Sequence, residues 1–230
     1  DLRDPEHPLF ARVNGRQTMY SASMPKIAIL LATFQKIDEG QLSLTPEIYK
    51  DLSDMIRYSN NQAATRMIDR VGGLDTINNV LTDPRYKLYD PKLGGGLWMG
   101  KRYQKIGRRV PDPNFGISHG ANVMQVARFY YLLATGRLVS RQRSKEMLDI
   151  LIDPAINHKF VKALNKTAPD AKIYRKSGTW KIWHADSALV WGPLWRRYIL
   201  VGVIESSQGG KILEELVPII ESVLLQSQKH

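Results

Sequence analysis

The chain has 230 residues, 43% of them hydrophobic and 24% charged, proportions that exclude disorder and collagen and allow one large domain or two small interleaved ones. Its net charge of +11 would attract anionic polymers, but the basic residues are spread out, with modest clusters at Lys101 to Arg109 and Arg141 to Lys145 and no interleaved RNA-binding aromatics, so they read as a solvated face and no nucleic-acid partner is expected. There is no cysteine, which removes disulfides and thiolate chemistry; the histidines at 7, 119, 158, 184 and 230 lack metal-ligand spacing, and neither metal nor other cofactor is expected.

Residues 9 to 20 read as two short strands around the turn Asn14-Gly15. Ser23 follows, then an apolar run from Met24 to Phe34 that predicts a helix ending near Gly40, with Pro25 in its first turn. That helix is apolar on nearly every side, which places it at the centre of the fold. Thr45 and Pro46 predict the cap and first position of a second helix to about Arg57, and after the polar break Tyr58-Ser59-Asn60-Asn61 a third runs from Gln62 to Val71, closed by Gly72-Gly73. Further helices are predicted at 74–82, 121–135 and 140–151, with an irregular stretch over 83–119. From residue 171 three strands follow, Lys172 to Thr179, His184 to Trp191 and Arg197 to Glu205, and Gly209-Gly210 opens a last helix to about Leu225. Neither apolar stretch, Ile27 to Thr33 or Val217 to Leu225, is long and uninterrupted enough for a bilayer helix.

This order predicts an α+β fold: an α/β sandwich whose antiparallel sheet is built from both chain ends, with helices on its faces and an all-helical lobe inserted. The expected division is 1–22 with 156–230 as the α/β part and 23–155 as the helical part, with the active site between them.

Three short patterns carry chemistry. Ser23-x-x-Lys26 puts a hydroxyl at a helix start and an amine one turn later on the same face, and a desolvated amine is neutral enough to take the hydroxyl proton. About one chance Ser-x-x-Lys is expected in a chain this rich in both residues, so alone it reads as a cap and a solvated lysine. Ser59-Asn60-Asn61 offers a second hydroxyl and an amide before a helix, or simply a polar cap. Lys176-Ser177-Gly178-Thr179 ends a strand with a cation, and Gly178 permits close backbone approach; otherwise it is an ordinary strand end.

In that order, on helix, loop and strand, the patterns resemble the motif set of class A β-lactamases and penicillin-binding proteins. Ser59 to Ala64 is similar to the family's Ser-Asp-Asn-Thr-Ala-Ala run, and Ala127 to Ser140 to its later helix, so the resemblance spans roughly residues 15 to 228. It implies Ser23 as nucleophile, Lys26 as general base, Ser59 as proton relay and Asn61 as ligand of a substrate carbonyl. Lys176 and Ser177 would bind a substrate carboxylate, Gly178 would let the substrate backbone approach, and the N–H groups of Ser23 and Thr179 would form the oxyanion hole. The implied substrate is a β-lactam or a peptidoglycan peptide, with a D-alanyl-D-alanine peptidase or penicillin-binding protein, or an esterase of the same fold, as the alternative, in each case a monomer in a periplasmic or extracytoplasmic setting, although no leader is visible.

The departures are equally specific. The class A Glu-x-x-Leu-Asn segment is missing, and no glutamate occurs between Glu47 and Glu146, so slow deacylation is expected. The interval from Ser23 to Ser59 is also short for that class, which predicts a more open site. Two rival motifs are weaker: Gly116-Ile117-Ser118-His119-Gly120 matches a nucleophile elbow but follows a stretch with two prolines, and Gly95 to Lys101 approaches a phosphate loop but has Arg102 where a hydroxyl is needed. A module of this fold that holds cell-wall peptides without turnover is the non-enzymatic alternative.

Overall fold

The computed structural model describes residues 1–193 and 195–226; His230 lies outside them. Strand β1 (Met19–Tyr20) leads through a tight turn into helix α1 (Lys26–Asp38), followed by α2 (Pro46–Arg57), α3 (Asn61–Arg70) and α4 (Leu74–Thr82). The stretch expected to be irregular contains short strands: β2 (Tyr89–Asp90), β3 (Gly95–Gly96), β4 (Trp98–Met99) and β5 (His119–Ala121). Then come α5 (Val123–Ala134), α6 (Arg141–Leu151), α7 (Phe160–Thr167), β6 (Lys172–Trp180), β7 (Trp183–Trp191), β8 (Arg197–Glu205) and α8 (Gly209–Gln226).

Local chemistry sets these boundaries. Side-chain oxygens of Thr45, Asn60, Asn122 and Ser140 accept from the first-turn N–H groups of α2, α3, α5 and α6, satisfying donors that have no partner within their helices. Helix α1 is buried from Lys26 to Gln35, as its uniformly apolar surface requires. Helix α7 was not expected from the sequence: it is eight residues long and is preceded by Lys159, whose side chain makes no cap.

The main sheet is an antiparallel meander, β6-β7-β8, in which Ser177 faces Asp186 and Thr179 faces His184. Side-chain alternation splits it between two cores. Ala188 and Val190 join Phe160, Leu164, Tyr198, Leu200, Leu213 and Val217 under α7 and α8, whereas Ala185 and Leu189 join the larger cluster built on α1 to α6.

The mixed, antiparallel class matches expectation, but the contribution of the N-terminal end does not. Residues 9 to 18 form no strand. The Asn14 turn exists, with Gln17 N–H donating to Asn14 O at 2.9 Å, yet Leu9, Phe10 and Val13 are 68%, 72% and 85% exposed. With no apolar surface to cover them, their alternation has nothing to bury and no ladder forms. Tyr20 and Met19 instead pair with β5, and the N-terminal segment meets the main sheet through Leu2 N–H donating to Arg197 O at 2.6 Å.

Candidate active site

Ser23 lies on a 3₁₀-like turn between β1 and α1, where Met24 N–H bonds Ser21 O and Lys26 N–H bonds Ser23 O. Ala22 takes a left-handed conformation, φ 52°, which is strained for a residue with a Cβ and needs support from its surroundings. Support comes from three bonds: Ser21 N–H and Ser21 Oγ both donate to His119 O, at 2.8 and 3.1 Å, and Tyr103 Oη donates to Ala22 O at 3.2 Å. Ser23 itself is half-buried.

One turn on, Lys26 Nζ donates to Ser59 O at 2.6 Å and Asn61 Oδ1 at 2.8 Å, with Ser59 Oγ at 3.4 Å. Burial pushes this amine down to about 7, because a charged group loses hydration that these neutral oxygens replace only in part. A neutral amine spends its two N–H bonds on the two short contacts and keeps a lone pair. Ser59, also left-handed at φ 58°, receives a second amine: Lys176 Nζ donates to Ser59 Oγ at 3.0 Å and Ser177 O at 2.7 Å. Lys176 is held well below the ordinary lysine range, by burial first and then by the Lys26 and Arg175 charges. A single hydroxyl therefore sits between two amines, neither of which holds its proton firmly.

Strand β6 reaches this cluster edge-on. A Cβ on Gly178 would overlap Ser21 O and come within 2.8 Å of Ser23 N. The close approach that this glycine permits is therefore that of the protein's own Ser23 turn, a role the motif alone did not distinguish from contact with substrate backbone. Ser177 is buried and Thr179 exposed. Lys159, an unanticipated neighbour, donates to Gly178 O at 2.7 Å, Thr179 Oγ1 at 2.8 Å and Ala185 O at 3.0 Å. Burial lowers it to about 8, with Asp186 opposing and Arg175 reinforcing that shift. Behind it Arg175 and Asp186 form a buried pair, 2.7 Å from Nε to Oδ1, and Asp186 Oδ2 also accepts from Phe160 N–H, tying α7 to β7.

The carboxylates of the 83–119 stretch are engaged elsewhere. Asp90 Oδ1 accepts from Lys92 N–H at 2.9 Å, and buried Asp112 accepts from Tyr89 Oη and from Phe115 N–H. Asp90 closes β2 and caps the short turn that Pro91 begins, and Asp112 immediately precedes the turn that Pro113 begins. The glycine run packs backbone on backbone: a Cβ on Gly94, Gly96 or Gly100 would overlap the carbonyl oxygen of Arg16, Leu88 or Ser118 respectively. That leaves no phosphate cradle, and Ser118 precedes β5 where a nucleophile elbow has its serine after a strand.

The fold thus joins Lys26, Ser59, Asn61 and Lys176 by direct hydrogen bonds, sets Gly178 against the Ser23 turn, and carries Ser177 and Thr179 on the same strand. Tyr103, His119 and Lys159 belong to the same neighbourhood but have no spacing signature. The only sequence signal for the first two was the length of the irregular stretch that holds them.

A family model described as the β-lactamase enzyme family matches residues 1–51 and 49–224. No curated protein matches the sequence. Among solved structures, the chain is similar to PBP-A at 20% identity and a TM-score of 0.72, covering 93% of this chain and 84% of that one. A PBP-A variant seen as an acyl-enzyme complex with penicillin G gives 20%, 0.73, 94% and 85%. A β-lactamase from Sphaerobacter thermophilus DSM 20745 gives 19%, 0.70, 92% and 84%.

Proposed function

The chain belongs to the β-lactamase enzyme family, and on that premise we propose that this β-lactamase-like hydrolase works by serine acyl transfer, with Ser23 attacking the amide carbonyl of a β-lactam or a cell-wall peptide. The observation that carries the reading is the chain of contacts Lys26–Ser59–Lys176 beside Ser23. Neutral Lys26 takes the Ser23 proton as Oγ bonds to the carbonyl carbon, and the oxyanion is met by the N–H groups of Ser23 and Thr179. Ser59 then delivers a proton to the departing nitrogen, recovering one through the two amines, and the ester on Ser23 remains. Water finally cleaves that ester and restores the hydroxyl.

Asn61 would hold the substrate's amide side chain. Lys176, Ser177 and Thr179 would face its carboxylate, and Gly178 keeps β6 close enough for this. We read the site as the seam between an α/β part, 1–22 and 156–230, and a helical part, 23–155, which pack together through Ala185 and Leu189 of β7. Such substrates place the protein outside the cytoplasm; among the described residues no helix is long and apolar enough to cross a membrane.

Deacylation is the slow step in this reading. Among the described residues no acid makes an ion pair with Lys26, Asp90 is bound within its own turn, and Asp112 is bound by Tyr89 and Phe115. General-base help to water is worth roughly 10²- to 10⁴-fold, so the adduct should persist, which favours a peptidase or penicillin-binding role over efficient β-lactam clearance. The test is mass spectrometry over time after a pulse of penicillin. A long-lived adduct on Ser23, absent in Ser23→Ala, is expected. Labelling retained in Ser23→Ala would refute acyl transfer at Ser23, and clearance within seconds would refute slow deacylation.

A further inference from the structure

Tyr103, in the loop between β4 and β5, has no part in the steps above, yet it touches three elements of the site. Its hydroxyl donates to Ala22 O, its ring stacks on His119 at 4.5 Å and 14°, and Lys26 Nζ lies 4.4 Å from its ring centroid. Lys26 needs such a neighbour. Its hydrogen-bond acceptors, Ser59 and Asn61, are neutral. The titratable groups facing it are Lys176 from β6 and His119 from β5. Helices α2, α4 and α6, also packed on α1, give it no ion pair or hydrogen bond among the described residues. Lys176 disfavours a second charge. His119 is kept neutral, down to about 3, by burial and then by Lys101, Lys26 and Arg109, so among the described residues no acid pairs with an ammonium at Lys26.

We propose that Tyr103 is a positioning residue for the reaction assigned to Ser23: its ring face steadies the Lys26 ammonium and so sets how much of that amine is free to accept the Ser23 proton. An aromatic quadrupole attracts a cation over its face, and more strongly where water is excluded. Burial drives the amine towards neutrality and the ring opposes it. The balance between them keeps Lys26 near the pH at which it can both take and return a proton. The inference rests on the acyl-transfer reading for its consequence, but not for its physics.

The test compares wild type with Tyr103→Leu, which keeps an apolar wall without a π face, and Tyr103→Phe, which keeps the face without the hydroxyl. Two midpoints are measured: that of the acylation rate against pH with a chromogenic cephalosporin, and that of Lys26 itself from the ¹³Cε shift of labelled lysine. In Tyr103→Leu both should fall by about 0.4 to 1.5 pH units, while Tyr103→Phe stays at the wild-type value. A Tyr103→Leu midpoint that does not move, with the rate lowered equally at every pH, would mean the ring only fills space. A Tyr103→Phe midpoint that moves as far as that of Tyr103→Leu would assign the effect to the hydroxyl. Either result overturns the proposal. If no variant is acylated while the ¹³C midpoint falls as stated, the acyl-transfer reading fails and the role of the ring stands.

Discussion

At the scale of single residues, three buried lysines share one small region without a matching set of acids. Lys26, lowered to about 7, Lys159, lowered to about 8, and Lys176, held well below the ordinary lysine range, are all shifted chiefly by burial. The signs of their effects differ. In the proposed acyl transfer Lys26 works when neutral, so acylation should rise as pH passes about 7. Lys159 works as an ammonium, because three acceptors use all three of its N–H bonds, so its support of Thr179 weakens as pH passes about 8. The acylation profile should therefore be bell-shaped. In Lys159→Met the alkaline limb should disappear and the maximum rate should drop, since Gly178 O and Ala185 O lose a buried donor, each such loss being worth about 1–3 kcal/mol of local stability. Acylation rates from pH 5.5 to 10 check this; an unchanged alkaline limb in Lys159→Met would assign that limb to another group.

At the scale of elements, Gly178 is where β6 and the turn before α1 meet backbone to backbone. Gly178→Ala would force a methyl into Ser21 O, separating the strand from Ser23 at a cost of about 1–3 kcal/mol. Acylation should fall at least tenfold with the overall fold retained, as read by circular dichroism and labelling rate; an unimpaired rate would mean that the contact is not needed. The elements themselves were largely legible in the sequence. Periodicity, caps and turn residues placed α1 to α6, β6 to β8 and α8 within a few residues, and the three motifs named every member of the Lys26–Ser59–Lys176 cluster. What escaped has a common cause. The short strands β4 and β5 pair across a long loop, β5 also with β1, and β2 pairs β3 in a hairpin of two residues a side, too short to show alternation. Helix α7 lacks a side-chain cap and is fixed from outside, by Asp186. The Asn14-Gly15 hairpin signal was local, and of the strands it implied only Met19–Tyr20 found a partner, in β5 rather than across the turn. Tyr103 and Lys159 act through tertiary contacts that no spacing rule encodes.

At the scale of the whole molecule, the two cores meet across β7, whose alternate residues belong to different clusters. Movement of one half against the other would thus be felt at Ser177 and Thr179, which pair with that strand. The far side of the sheet has a different fate. Strand β8 hydrogen-bonds β7 along one edge, and among the described residues its other edge carries one backbone bond, from Leu2 to Arg197. Between the charges Arg197 and Glu205 runs Tyr198-Ile199-Leu200-Val201-Gly202-Val203-Ile204, a β-prone stretch whose outward donors and acceptors meet no other backbone partner among the described residues. Such an edge is a template for another chain. The N-terminal residues act as its guard, and Leu2→Pro, which deletes the N–H, should leave it bare. Light scattering at rising protein concentration should then show self-assembly beginning earlier in Leu2→Pro than in wild type, with equal onset counting against the idea. The cationic surface, by mutual repulsion, would delay that growth at low salt and release it as salt is added.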